Sequence, residues 1–268
     1  MGWKIGTSGW QYEHWRGAFY PPTTAKAHWL EHYAEHFATV ESNSAFYRLP
    51  ERSTLADWAG RTPEDFEVAL KASRYLTHVR RLREPEEPVR LLLERLEGLE
   101  HKCGPVLLQL PPNLAVDTDA LDRTLRAFGS HVRLVVEVRH RSWFDDTVRL
   151  LLERRGAALC LTDTRGRHPP LWRTASWGYV RFHRGRASPD PCYGRTAIGT
   201  WAERIVGLFG ADDVYCYFNN DGRACAVRDA HQLAVAAGRL GVQTTRTPPP
   251  SAVDVGPPVG AGNRRSPS

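Results

Sequence analysis

The side chains of this chain best suited to chemistry recur at the ends of short apolar runs, and where a run carries two they stand two residues apart. Glu41 and Asn43 close the second run, Lys71 the third and Gln109 the fourth. Glu137 and Arg139 close the fifth, Asp163 the sixth, Arg181 and His183 the seventh, and Tyr217 and Asn219 the eighth. Two carboxylates facing each other are what general acid/base or glycosidic chemistry requires, their separation deciding between retention and inversion. The plainer alternative is that Glu41 and Glu137 pair with Lys71, Arg139 or Arg181, and a carboxylate held by two cations is a poor acid. Lys71, desolvated beside Arg139 or Arg181, would act as a general base or form a Schiff base; otherwise it is a charge partner or an anion ligand. His183 is the only histidine in this set and reads as a general acid/base or as a hydrogen-bond donor. The expected catalytic set is therefore Glu41, Lys71, Glu137 and His183.

Residues two apart on a strand share a face, so the spacing puts these groups on one side of their strands. The opposite parity is mostly apolar: Val40, Leu70, Leu108, Val136, Val138, Val180, Phe182 and Phe218. Eight apolar runs (Trp3–Thr7, Thr39–Asn43, Phe66–Lys71, Pro105–Gln109, Leu134–Arg139, Ala158–Asp163, Tyr179–His183 and Val214–Asn219) alternate with helical patterns. Strands buried on both faces and separated by helices predict an α/β fold, a parallel eight-stranded (β/α)8 TIM-type barrel. Its active sites sit at the C-terminal mouth, where the polar strand ends fall. Helices are expected near Ala25–Phe37, Ser53–Gly60, Pro88–Leu99, Thr118–Phe128, Asp145–Arg155, Thr200–Phe209 and Ala224–Leu240, whereas Thr164–Trp177, between the sixth and seventh strands, reads as loop.

A chain of 268 residues fits one such domain, expected over residues 1–244. From Thr245 the composition turns to Pro, Gly, Ser and Ala, which predicts a disordered tail over 245–268. No apolar stretch approaches the ~20 residues of a membrane span, and the polar N-terminus lacks a signal-peptide pattern. The five cysteines are odd in number and lack CxxC spacing, which points to a reducing, cytoplasmic setting. The net charge of +6 comes almost wholly from arginine, with Lys4, Lys26, Lys71 and Lys102 as the only lysines. Arginines and aromatics concentrate in the predicted loops above the mouth, among them Arg48, Arg74, Arg165, Arg167, Trp10, Tyr47 and Trp143. That mixture suits a phosphate joined to a ring, as in a nucleotide or a nucleic acid. Asn219 and Asn220, just before the last helix, add a further anion position. No metal or cofactor is expected: cations interleave the inward carboxylates, and neither HExxH nor a paired-histidine spacing was found.

Several blocks carry a family likeness. They are Ile5-Gly6-Thr7-Ser8-Gly9-Trp10, Val40-Glu41-Ser42-Asn43, Lys71-Ala72-Ser73-Arg74, Leu107-Leu108-Gln109-Leu110-Pro111-Pro112, Val136-Glu137-Val138-Arg139-His140, Tyr179-Val180-Arg181-Phe182-His183 and Tyr217-Phe218-Asn219-Asn220. Together they resemble the YecE-like proteins, domain-of-unknown-function family 72, in order over about residues 3–240. The resemblance implies a TIM-type barrel and no assigned reaction. Arg184 stands where the family commonly has glycine, with Gly185 one place later.

The expected function is a metal-independent enzyme, of hydrolase, lyase or isomerase type, acting on a small anionic ligand that is phosphorylated or sugar-like. Trp10, Asn43, Tyr47, Gln109, Arg139, Trp143, Asp163, Arg181, Tyr217, Asn219 and Asn220 are the expected ligand contacts. The alternative is a nucleic-acid-binding or DNA-repair-type protein that docks its partner on the arginine–aromatic rim. Depth discriminates between them: buried strand residues suit a small ligand, loop arginines a large one.

Overall fold

In the computed structural model, which describes residues 2–163 and 169–256, eight parallel strands form the expected barrel. They are β1 (Trp3–Thr7), β2 (Thr39–Ser42), β3 (Glu67–Lys71), β4 (Cys103–Gln109), β5 (Leu134–Glu137), β6 (Ala158–Thr162), β7 (Gly178–Phe182) and β8 (Val214–Phe218). The helices around them are α1 (Trp29–His36), α2 (Ser44–Tyr47), α3 (Arg52–Gly60), α4 (Glu86–Leu96), α5 (Thr118–Phe128), α6 (Asp146–Arg155), α7 (Arg195–Phe209) and α8 (Cys225–Arg239). Asp117 caps α5 by accepting from the Ala120 amide, and α6 stops at Gly156 in the left-handed region, as its sequence predicts. No helix joins β6 to β7 among the described residues, which agrees with the loop expected there.

Strand register divides the two faces. Glu41 pairs with Ala69, Gln109 with Glu137, Thr162 with Arg181, and Arg181 with Tyr217. Paired residues point to the same side, so this parity lines the barrel interior. Ala69, Leu107, Val135, Cys160, Tyr179 and Tyr217 fill its buried lower part. The other parity, including Val40, Leu70, Leu108, Val136 and Val180, packs outward against Leu92, Leu121, Leu152, Ile205 and Leu233 of the helices.

The sheet order runs from β1 through β8 round to β2, so β1 and β2 are the two edges that must meet. Gly6 makes the approach: a Cβ there would lie 2.3 Å from the Thr39 carbonyl oxygen. A side chain stitches the seam. The Tyr33 hydroxyl accepts from the Thr7 amide at 3.0 Å and donates to the Thr39 carbonyl at 3.1 Å, taking the place of a ladder hydrogen bond. Tyr33 is wholly buried, so no water can substitute for it.

Two expectations are corrected. The packed chain continues past residue 244: Thr245 donates to the Trp3 carbonyl, Arg246 binds the Ala34 carbonyl, and Asp254 donates to that of Ala18. Backbone hydrogen bonds offset an apolar deficit that composition alone made decisive, and the expected tail is left with residues 257–268, which lie outside the described residues. Cys192 and Cys225 form a disulfide across 33 positions, joining the β7–α7 loop to the first residue of α8. Linear spacing hides a pair that comes from two adjacent loops. Cys160 and Cys216 are buried free thiols inside strands, and among the described residues no helix is long and apolar enough to cross a membrane.

Replacing Tyr33 with Phe keeps the ring and removes the stitch. Denaturant unfolding should show a loss of ~1–3 kcal/mol, the cost of a buried amide left unsatisfied; an unchanged midpoint would mean that the seam closes without it.

Candidate functional site

Arg181 organises the upper barrel. Its guanidinium donates from Nη2 to Glu41 Oε1 at 2.8 Å and from Nη1 to Glu137 Oε2 at 2.6 Å. All three side chains are at most 2% exposed. Tyr179 donates its hydroxyl to Glu41 Oε2, also at 2.6 Å. Gln109 Nε2 reaches both oxygens of Glu137, and Arg139 Nε adds a third donor at 2.9 Å. Burial pushes the Glu137 carboxyl upward, but Arg181 and Arg139 outweigh it and hold the group well below the usual carboxylate range. The two expected acid/base carboxylates are thus committed to one guanidinium, which fills the space a scissile bond would need. Glu41 and Glu137 form the floor of the mouth, and the glycosidic reading falls with that placement.

Above the floor the groups are less committed. Lys71 is 9% exposed, with its ammonium 3.8 Å over the Phe46 ring, and no carboxylate lies within ion-pair distance among the described residues. Burial and the Arg181 charge bring its amine down to about 8. Arg139 is 39% exposed and spends only Nε on Glu137, so its two terminal nitrogens bind nothing else among the described residues. His183 is brought down to about 4 by burial and by Arg181, so it is neutral at pH 7. Its Nδ1 lies 3.4 Å from the Asn219 amide nitrogen, and its Nε2 is buried without a partner among the described residues. With Nδ1 accepting, Nε2 carries the proton: an unused donor suited to a ligand oxygen.

The other expected contacts separate into two groups. Asn43 sits at the mouth and reaches the Ser8 carbonyl at 3.4 Å, Asn219 stands beside His183, and Tyr47 is 82% exposed on the rim. Asp163 lies just beyond β6, on the parity of the outward Leu159 and Leu161, and accepts from the His183 amide; Thr162 has the interior position instead. Trp10 packs edge-on against Trp58, and buried Trp143 donates to the Leu114 carbonyl. Tyr217 bonds Thr39 low in the barrel, and Asn220 binds Asp229 and the Pro191 carbonyl. These four are structural, because a sequence shows their chemistry but not their depth. The rim arginines Arg165 and Arg167 lie outside the described residues.

Sequence reasoning missed Ser8, whose buried Oγ has no partner among the described residues, although counting by two from Lys4 through Gly6 reaches it. It also missed Tyr179, the partner of Glu41. Gly185 lies where a Cβ would meet the Cys192 carbonyl at 2.0 Å, so the displaced glycine is still required by close packing. A groove of about 640 Å3 between α7, α8 and Pro250–Val253 opens outside the barrel, away from all these groups. The mouth interleaves cations among its carboxylates. On α1, His32 and His36 have the paired-histidine spacing that the sequence expectation excludes, and with Glu35 each offers a ligand atom within 4.8 Å of the others.

Burying an amine without a carboxylate destabilises the fold whenever the amine is charged. The native value of about 8 lies below the ordinary 10.5, so native Lys71 binds its proton more weakly than the unfolded chain does. Stability is therefore lowest below pH 8 and recovers as the pH rises toward 10.5. Lys71→Met should raise stability at pH 7 by ~1–3 kcal/mol, a gain that shrinks through pH 8–10.5 in denaturant titrations. A destabilised variant at pH 7 would show that the ammonium is paired after all.

The family comparisons agree with this frame. The family described as "Protein of unknown function DUF72" matches residues 4–252. UPF0759 protein YecE of Escherichia coli K12 is 31% identical over 191 residues, which is 69% of this chain and 68% of that protein. UPF0759 protein YunF of Bacillus subtilis 168 is 31% identical over 263 residues, covering 85% of this chain and 92% of its own. The crystal structure of a DUF72 family protein from Thermotoga maritima superposes with a TM-score of 0.77 at 25% identity, covering 88% of this chain and 98% of that one. With its eight-stranded barrel and a family match that runs from β1 past residue 244, this chain belongs to the DUF72 family.

Proposed function

We propose that the barrel mouth is the site of a metal-independent enzyme acting on a small anionic molecule, phosphorylated or sugar-like, with Lys71 as the reacting amine. The observation that carries this reading is Lys71 itself: buried, without a carboxylate partner among the described residues, and brought down to about 8 in a mouth rimmed by a half-free Arg139. An amine of about 8 keeps a useful neutral fraction at physiological pH, which a general base or imine-forming nucleophile requires. Arg139 suits the anion, because its two terminal nitrogens form a fork matched to phosphate or carboxylate. His183 Nε2–H and Asn219 suit a ligand oxygen. Glu41, Glu137 and Arg181 hold these groups in place without reacting. Among hydrolase, lyase and isomerase chemistries, an amine at this position favours a lyase or isomerase working next to a carbonyl. Adding Lys71 to that carbonyl would expel its oxygen as water and leave a C=N bond.

A second reading rests on the rim. Tyr47 is 82% and Tyr75 53% exposed, and they stand next to Arg48 and Arg74 in the chain. Exposed rings alternating with arginine suit a single strand of nucleic acid.

One panel tests both. Inorganic phosphate, sugar phosphates and 2-oxo acids at millimolar concentration should raise the melting temperature of the wild type, and Arg139→Gln should lose that response. Borohydride with a carbonyl-bearing anion should leave a covalent adduct on the wild type and none on Lys71→Met. Silence toward every anion, with steeply salt-dependent binding of single-stranded oligonucleotide that Tyr47→Ala abolishes, would replace the first reading with the second.

A further inference from the structure

The outer face of α1 carries a second constellation, independent of the mouth. His32 and His36 are four residues apart, so they project from the same side of the helix on consecutive turns, with Glu35 between them. One ligand atom from each lies within 4.8 Å of the other two. The imidazoles are held by the backbone: His32 Nε2 contacts the Phe19 carbonyl at 3.2 Å and His36 Nδ1 the His32 carbonyl at 2.9 Å. A carbonyl can only accept, so each of those nitrogens carries the proton and the other nitrogen of each ring keeps a lone pair. Metal-ligating histidines are oriented in just this way by a carbonyl on the opposite nitrogen. Phe19 packs edge-on against both rings and limits their rotation.

The carboxylates of the helix differ in a way that matters. Glu31 is bound by Arg61 at 2.9 Å through two nitrogens and has its charge answered. Glu35 is exposed and has no ion-pair partner among the described residues.

We infer that His32, Glu35 and His36 form a binding site for a borderline divalent transition metal such as Zn2+, Ni2+ or Co2+. Two imidazoles and one carboxylate are the donors these ions prefer, whereas Ca2+ and Mg2+ require mainly oxygen. Three protein ligands leave at least one position to water, so the ion is exchangeable. Bound there, it would bridge consecutive turns at the end of the helix that leads into β2.

Titration of the full chain with Zn2+ alone, in a non-coordinating buffer at pH 7.5 followed by calorimetry, should show one site per chain. His36→Gln should weaken it at least tenfold and Glu35→Gln several-fold. Both variants should keep the wild-type melting temperature in the presence of a chelator. Glu35 is exposed, so its variant tests the site even where a histidine change perturbs folding. No binding by the wild type at 0.1 mM free Zn2+, or undiminished binding by both variants, overturns the site.

Discussion

One guanidinium between two carboxylates governs the upper barrel. Arg181 reaches Glu41 from one side and Glu137 from the other, with all three sealed from solvent. Isolated burial of any of these charges costs several kcal/mol, so the group is tolerable only as a unit whose lone pairs are filled. Tyr179 and Gln109 supply the missing donors, and Arg139 adds a third cation contact from above. Removing one member would strand the others, a penalty of ~3–5 kcal/mol. Replacing the whole unit with aliphatic residues would satisfy a barrel that usually fills this layer with Val, Ile and Leu. Stability alone therefore gives no reason for the unit. Its value lies in a polar, rigid floor that fixes Arg139 and sets the field at Lys71.

The floor also imposes a division of labour. The carboxylates that touch Arg181 have their oxygens taken up by hydrogen-bond donors, and Glu137 is held ionised. Groups one layer higher, Lys71, His183 and Asn219, keep unused atoms or displaced proton affinities. Arg181 acts on both layers: the same positive charge that ionises Glu137 depresses Lys71 and His183. A charge placed to neutralise two acids thereby makes two bases available in uncharged form. Electrostatic tuning of this kind follows from burial plus one fixed neighbour.

The strand parity was legible because period-two spacing survives any folding detail: Glu41, Lys71, Glu137 and Arg181 point inward as alternation requires. Pairwise partnership was not legible. Nothing in the sequence says that Arg181, rather than Arg139 or Lys71, lies between the glutamates, because barrel stagger sets which strand ends share a layer. Asp163 shows the same limit: a one-residue difference in where β6 ends exchanges it for Thr162. The aromatic character of Trp10 and Trp143 suggests ligand contacts, yet both are buried, which makes them packing residues. The docked segment 245–256 escaped notice because its hydrogen bonds to Trp3, Ala18 and Ala34 are long-range and composition cannot record them. His32 and His36 show their i, i+4 spacing in the chain itself, on a helix and not at a strand end.

Charge accounting in the mouth supports the proposal of an anionic ligand. Glu41 and Glu137 are answered by Arg181 and Arg139, and His183 is neutral, which leaves the Lys71 ammonium as the uncompensated charge below pH 8. In an enclosure of low dielectric a single such charge attracts an anion far more strongly than it would in water. The anion in turn raises the affinity of Lys71 for its proton, opposing the neutral form that would react. In the proposed site, Arg139 would resolve the conflict geometrically. Its exposed terminal nitrogens would take the ligand's charge at the rim, so that Lys71, deeper and over Phe46, would meet the uncharged end of the same molecule. A ligand with an anionic group at one end and a polarised carbon at the other fits that arrangement, and a uniformly charged one does not.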